Sequence, residues 1–435
     1  MGLPGDAVGT RARGGYAGGM AESPPLSGPE EPLPAAAAAE PVADAPAVLP
    51  RPALSSLFLA FLKLGATAFG GPAMVAYIRE VAVTQKCWLS ARAFSDGVAL
   101  CQTIPGATAM QTAAYVGLRA RGVPGAFIAF AGFALPAFLL MILFAALYNQ
   151  GINIQSIASV FHGLQWIVIA IMANATLNFG KTSLKNLRDA GLALCAAGAL
   201  ALGAAPFAII LAAAVVGVPL YWTAEKKTAP AAAGTATGLR RSLLPGLAFA
   251  AASALALALL YFFRRPKLFD LGVLMVKIDS LAFGGGFASV PLMLHEVVET
   301  KHWLDAKMFM DAIALGQVTP GPIVITATFV GWQLLGWAGA VAATVGIFSP
   351  SLLVVLLTVP YLDRLNQSRL FRAALRGPLV SFVALLLVAT IRLALTLSWA
   401  WTPAVLCVAA LAALRLRAGI AWVVLAGAAL SALIL

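Results

Sequence analysis

The chain states one pattern twice, and any fold must accommodate both statements. Lys63 recurs as Lys277, and Phe69-Gly70-Gly71 as Phe283-Gly284-Gly285. One inserted residue later, Trp88 recurs as Trp303, Asp96 as Asp311, Gln102 as Gln317 and Pro105-Gly106 as Pro320-Gly321. After a compensating deletion, Thr112 recurs as Thr326, Gly125 as Gly339, Pro136 as Pro350 and His162-Gly163 as Arg376-Gly377. Apolar composition alone cannot hold Gly, Pro, Gln and Asp in register over such a distance. A duplicated apolar half, interrupted by Gly and Pro at matching places, is the pattern of an inverted-repeat carrier with broken helices.

Of the 435 residues, 61% are hydrophobic and 11% charged. Soluble domains carry nearer a quarter charged residues, so the composition implies an all-α polytopic membrane protein. A formal net charge of +12 raises the question of nucleic acid, but the basic residues are scattered through short loops. Cytoplasmic loops explain them better. The four cysteines stand far apart and form no CxxC, and no HExxH, P-loop or GxSxG occurs. Metal, cofactor and enzyme readings therefore find no residues to rest on.

Residues 1–52 are rich in Ala, Pro, Gly and Glu and read as a disordered cytoplasmic tail. A first repeat follows at 53–222, then a linker with one extra apolar segment at 223–268, then the second repeat at 269–435. Apolar runs within them give about 13 helical segments. Loop charges set the orientation of the copies. Arg119 and Arg121 in one loop have no charged counterpart in the second copy. Lys181, Lys185 and Arg188 in another have only Arg392 near theirs. Conversely, Arg364, Arg369, Arg372, Arg415 and Arg417 answer uncharged loops of the first copy. Opposite orientation predicts this alternation. Lys86 with Arg92, and Arg264-Arg265 with Lys267, fit it poorly.

Breaking a helix inside a bilayer frees backbone groups that find no water there, so each break needs protein partners or a wet cavity. Each repeat has two breaks: FGGP at 69–72 with IPGAT at 104–108, and FGGG at 283–286 with TPGP at 319–322. Amides at the helix starts beyond them attract anions. Brought together about a pseudo-twofold axis, the breaks would form a central anion site from Gly70, Gly71, Pro105, Gly106, Gly284, Gly285, Pro320 and Gly321. Gln102, Thr108, Gln111, Gln317, Thr319 and Thr326 would donate hydrogen bonds without adding opposing charge. Lys63 and Lys277 would neutralise a dianion, since a cation in apolar sequence costs about 3 kcal/mol and its repetition needs a reason. Snorkelling to an interface is the competing use of both lysines. Asp279 reads as a counter-charge for Lys277, Asp96 and Asp311 as helix-start caps or inter-repeat ion-pair partners, and Trp88 and Trp303 as interfacial anchors.

FLKLGATAFGGP ending at Pro72, FSDGVALCQTIPG at 94–106 and FMDAIALGQVTPGP at 309–322 resemble the chromate transporter family in its long two-domain form. The likeness extends over nearly all of 55–435. It implies a multi-pass protein of a bacterial inner membrane that expels chromate, driven by the proton motive force. Chromate resistance follows, with sulfate as a competing substrate and no cofactor. The partners are then chromate or sulfate, the lipid bilayer and, in a homodimer, a second copy. Gly286 and Ala107 stand where the family pattern has proline. A sulfate or other oxyanion carrier is the nearest alternative, and an anion channel or scramblase the alternative of another class.

Overall fold

The computed structural model describes residues 51–69, 71–151, 155–222, 243–262, 265–361, 365, 368–398 and 400–434. The chain divides into two compact units, Met1–Val48 and Leu49–Leu435. The first unit lies outside the described residues, as do Gly70 and the linker residues 223–242. The described residues of the second unit form fifteen α-helices and no strand. The first repeat supplies α1 (Leu54–Thr67), α2 (Gly71–Arg79), α3 (Ala91–Thr103), α4 (Thr108–Gly151), α5 (Gln155–Ser183), α6 (Leu187–Ala201) and α7 (Pro206–Tyr221). After α8 (Leu243–Phe262) come α9 (Pro266–Ser280), α10 (Ser289–Met293), α11 (Ala306–Val318), α12 (Thr326–Thr358), α13 (Arg369–Leu395), α14 (Trp401–Arg415) and α15 (Ile420–Ile434). The count exceeds the expected 13 because the glycine breaks cut single apolar runs in two.

The breaks reverse the chain. On a continuous helix, Gly97 and Tyr115 would stand about 27 Å apart at 1.5 Å per residue. Instead a β-carbon on Gly97 would strike the Tyr115 ring, and the Tyr115 hydroxyl donates to the Ala93 carbonyl at 2.8 Å. The chain therefore turns back at Pro105-Gly106. Lys277 and Glu296 flank the FGGG break and would be about 28 Å apart on one helix, yet their side chains meet at 3.0 Å. That break too is a hairpin tip. α4 and α12 each contain a further reversal, at Arg121-Gly122 (Gly122 φ 67°, ψ −157°) and Leu335-Gly336 (Gly336 φ 57°, ψ −140°). There Gly117 packs on Gly125, and Gly331 on Gly339, so closely that a β-carbon would meet the opposing carbonyl.

Local chemistry repeats with the sequence. Ser90 caps α3 by accepting from the Ala93 amide at 3.2 Å, and Asp305 caps α11 by accepting from Met308 at 2.7 Å. Each FGG arm ends in a π-helical turn, Glu80–Gln85 and Leu294–Thr300. Small residues then let backbones approach, as membrane helices require in the absence of a hydrophobic drive between them. Gly132 sits against the Phe58 carbonyl of α1, and its match Gly346 against the Gly272 carbonyl of α9. Five helices among the described residues are long and apolar enough to cross a membrane: within 108–150, 159–183, 244–262, 323–361 and 369–395. Leu135, Leu139, Leu143 and Leu147 form an exposed stripe at helical spacing along α4. Such a row is costly in water and at home against lipid.

Candidate functional site

The hairpin tips of the two repeats are tied to each other reciprocally. The Gly106 amide donates to the Ala282 carbonyl at 3.0 Å, and the Gly321 amide to the Ala68 carbonyl at 3.0 Å. Each PG tip thus rests on the FGG arm of the other repeat. Gly106 and Gly321 hold φ of +119° and +114°, and Gly284 and Gly285 hold +94° and +95°. A side chain tolerates none of these comfortably. Just beyond the tips, α4 starts at Thr108, one 3-10 turn at Gly286 and another at Ile323. The first amides of these turns have no partner within their own helix.

A cleft of about 870 Å³ opens beside the tips. Its inner end is lined by Ala107, Thr108, Gly284, Gly285, Gly286 and Ile323, and Gln102 faces it from α3. Its mouth is lined by Arg79 at the end of α2 and by Asn178, Thr182 and Ser183 at the end of α5. Of the residues expected at the site, Gln102, Thr108, Gly284 and Gly285 line this cleft. Gly106, Pro320, Gly321 and Thr319 are buried in the tips behind it. Pro105 accepts from the Gln111 side chain, which is fully buried beneath the tip. Gln317 is 8% exposed with its Nε2 unpartnered among the described residues, and Thr326 spends its hydroxyl on the Ile323 carbonyl at 2.8 Å. Gly71 opens α2, while Gly70 lies outside the described residues.

The lysines stand elsewhere. Lys63 is exposed on α1 and does not line the cleft. Lys277 bonds Glu296 and lies 3.7 Å from the Phe207 ring centroid, so its charge is spent away from the tips. The reason is the reversal at FGGG, which brings Glu296 back alongside α9. Asp279 is consequently not the counter-charge of Lys277: its Oδ2 accepts from Ser351 Oγ at 2.7 Å. Asp96 and Asp311 are not caps, because Ser90 and Asp305 hold those places. Asp311 accepts from Tyr148 and Gln165 of the other repeat, each at 2.9 Å, so it joins the repeats by hydrogen bonds rather than an ion pair. Trp88, at 6% exposure, belongs to the core rather than to an interface.

Arg376 pairs with buried Asp189 at 3.0 Å and covers Tyr221. At the end of the second FGG arm, Glu299 accepts from His295 at 3.0 Å and from Arg392 at 2.5 Å. The His295 hydrogen bond, against an opposing contribution from burial, and then Arg392 hold Glu299 below the usual carboxylate range. Sequence reading missed Arg79, Asn178, Thr182 and Ser183. Arg79, Asn178 and Ser183 have no match in the other repeat, and Thr182, which recurs as Thr396, stands apart from the glycine and proline breaks that drew the reading. The offset that pairs the FGG motifs sets Met293 opposite Arg79.

The family model described as chromate transporter matches residues 55–218 and again 269–432. An uncharacterized transporter of Methanocaldococcus jannaschii is 43% identical over 348 residues, covering 80% of this chain and 86% of its own. The chromate transport protein of Cupriavidus metallidurans is 32% identical over 318 residues, covering 72% and 76%. That of Pseudomonas aeruginosa is 32% identical over 362 residues, covering 80% and 83%. No solved structure matches the chain.

Proposed function

This chain belongs to the chromate transporter family, and on that premise we propose that the cleft at the glycine tips is its transport site for chromate. Sulfate competes there as a tetrahedral dianion of similar size. The observation that carries the reading is the reciprocal pair of tip hydrogen bonds, Gly106 to Ala282 and Gly321 to Ala68. They gather unpartnered helix-start amides from both repeats around one cleft, where the side chains of Gln102 and Thr108 add neutral donors and Arg79 adds a cation. Amides of this kind favour an anion. Relatives of the chain bear the name chromate transport protein.

The repeats are read as inverted. α1 and α3 with their return arms enter from one face, and α9 and α11 with theirs from the other. The cleft mouth at Thr182 and Ser183 adjoins Lys181 and Lys185, and Arg415 reaches Asn178 there at 3.4 Å. Basic loops face the cytoplasm, so the cleft is open inward, ready to load an anion for export. Alternating access would then carry it outward across a bacterial inner membrane, conferring chromate resistance. On this reading Lys63 and Lys277 lie outside the pocket that holds the anion.

The test is uptake of chromate, and separately of sulfate, into everted vesicles. Saturable accumulation that collapses with an uncoupler is expected. Gln102→Ala and Arg79→Gln should each lower the rate tenfold or more, about 1.4 kcal/mol of lost stabilisation, with unchanged amounts of inserted protein. Wild-type rates from both variants refute the site. Non-saturable flux indifferent to the uncoupler refutes the carrier in favour of a channel.

A further inference from the structure

The two PG tips differ, among other places, at three positions that change together. In the second repeat the tip reads Pro320-Gly321-Pro322 and lies against Ala137, with Gly65 at the matching place on α1. In the first repeat it reads Pro105-Gly106-Ala107, and the residues at the corresponding places are Ser351 and Asp279. Pro322 has no N–H to satisfy, whereas Ala107 has one. That amide donates to Ser351 Oγ at 2.8 Å, and Ser351 in turn donates to Asp279 Oδ2 at 2.7 Å. Ser351 and Asp279 are both fully buried, and Asp279 Oδ1 has no hydrogen-bond partner among the described residues.

The hydroxyl of Ser351 alone would satisfy the amide, since a serine in a helix can spend its own proton on a carbonyl one turn back. The carboxyl is therefore surplus to packing, and a buried acid without a cation is costly in a membrane. No cation offsets it among the described residues. Lys277 is turned to Glu296. α12 carries no titratable side chain, α8 carries only Tyr261, and the returning arm carries His295, Glu296 and Glu299, which are engaged with Thr300, Lys277 and Arg392 and with each other. The tip residues 104–108 carry none.

The geometry points to Asp279 as a proton-binding site linked to anion binding: the protein takes up one proton on Asp279 together with one oxyanion in the cleft. This rests on the oxyanion reading of the cleft. Ala107 and Thr108 line the cleft, and Asp279 stands directly behind them through Ser351. An ionised carboxylate there repels a dianion through low-dielectric protein, and protonation removes the repulsion. The proton comes from cleft water and goes to Oδ1, the oxygen without a donor. By reciprocity, a bound dianion raises the proton affinity of Asp279 by the same factor. The second tip, with Gly65 and Ala137, has no such device, so the coupling belongs to one repeat only.

The test uses the full-length protein in lipid nanodiscs with inorganic sulfate, which remains a dianion from mildly acidic to mildly alkaline pH. Wild-type sulfate affinity should weaken as pH rises, by up to about tenfold per pH unit at the steepest point. Sulfate binding in weak buffer should take up close to one proton per anion in the middle of that range. Asp279→Asn should bind with the affinity that the wild type reaches at low pH, show no pH dependence and take up no proton. A wild type that binds sulfate without proton uptake overturns the inference, and that measurement needs no variant to fold. Retained pH dependence in Asp279→Asn overturns it too. Binding of neither sulfate nor chromate at any pH would instead overturn the oxyanion reading itself.

Discussion

Replacing Gly321 by alanine tests whether the tips are held as tightly as the reciprocal hydrogen bonds imply. The residue has φ +114°, and a non-glycine residue in such a sparsely populated region costs about 1–3 kcal/mol. The new β-carbon would also lie 2.8 Å from the Ala137 β-carbon, well inside the 3.5–4.0 Å at which carbons attract. Overpacking of this kind costs about a further 1–3 kcal/mol. Gly336 supplies the control, because its φ is +57° and a β-carbon there would meet nothing within 4 Å. Gly336→Ala therefore carries only the conformational cost. Thermal loss of the monodisperse peak in detergent should order wild type, Gly336→Ala and Gly321→Ala from most to least stable. The decisive measurement is the cycle with Ala137→Gly. In the wild-type background this change costs about 1 kcal/mol as a helix glycine. In the Gly321→Ala background it removes the clash and should raise the midpoint. Equal midpoints for Gly321→Ala and Gly336→Ala, or the same penalty for Ala137→Gly in both backgrounds, would refute the close-packed tip.

Two further outcomes follow from ion pairs, one between the repeats and one within the second. Arg376→Met leaves Asp189 fully buried without its cation, on neutral donors that include the amides of Lys185 and Asn186; about 3 kcal/mol should be lost, most of it recovered in the double variant with Asp189→Asn, and an unchanged midpoint for the single variant rejects this. Glu299 is held below the ordinary carboxylate range by His295 and then Arg392, so its contribution to stability is complete above the unfolded pKa and is lost as pH falls through the lower folded value. Glu299→Gln should be less stable than wild type at neutral pH and converge with it in acid, and a gap that stays constant with pH would count against the assignment.

The duplication, the all-helical membrane fold and the four breaks were legible because they rest on residue types with few substitutes. Gly106 and Gly321 need positive φ, and Pro105 and Pro320 end helices, so both leave a mark in sequence. That the FGG arms turn back was not legible, since glycine permits a bend, a kink or a reversal alike. The contact between Lys277 and Glu296 decides the matter, and it depends on the tertiary path. The same path explains why Lys277 misled: its recurrence with Lys63 was real, but its partner lay on the returning arm. Arg79 and the end of α5 were invisible for the opposite reason. Of the residues at the cleft mouth, Arg79, Asn178 and Ser183 have no match in the other repeat.

The reversals also bear on the charges that fitted inversion poorly. Had 54–83 crossed the membrane, Lys86 and Arg92 would face outward. In the proposed arrangement, with α2 and its π-helical turn returning to the side from which α1 entered, both would join Arg119 and Arg121 on the inward face, leaving Arg265 and Lys267 as the exceptions. On the outward face of the proposed arrangement, Arg392 binds Glu299 and the Leu200 carbonyl at 2.7 Å, and Glu299 also binds His295. These contacts tie the second FGG arm to α6 and α13 at the end opposite the cleft mouth. An outward opening about the same tips has to separate that arm from its neighbours, just as the first arm stands apart from α5 around the present cleft. In the proposed cycle the Glu299 cluster would therefore stabilise the inward-open form at the expense of its counterpart, and the balance between the two states would be set at this end as much as at the anion.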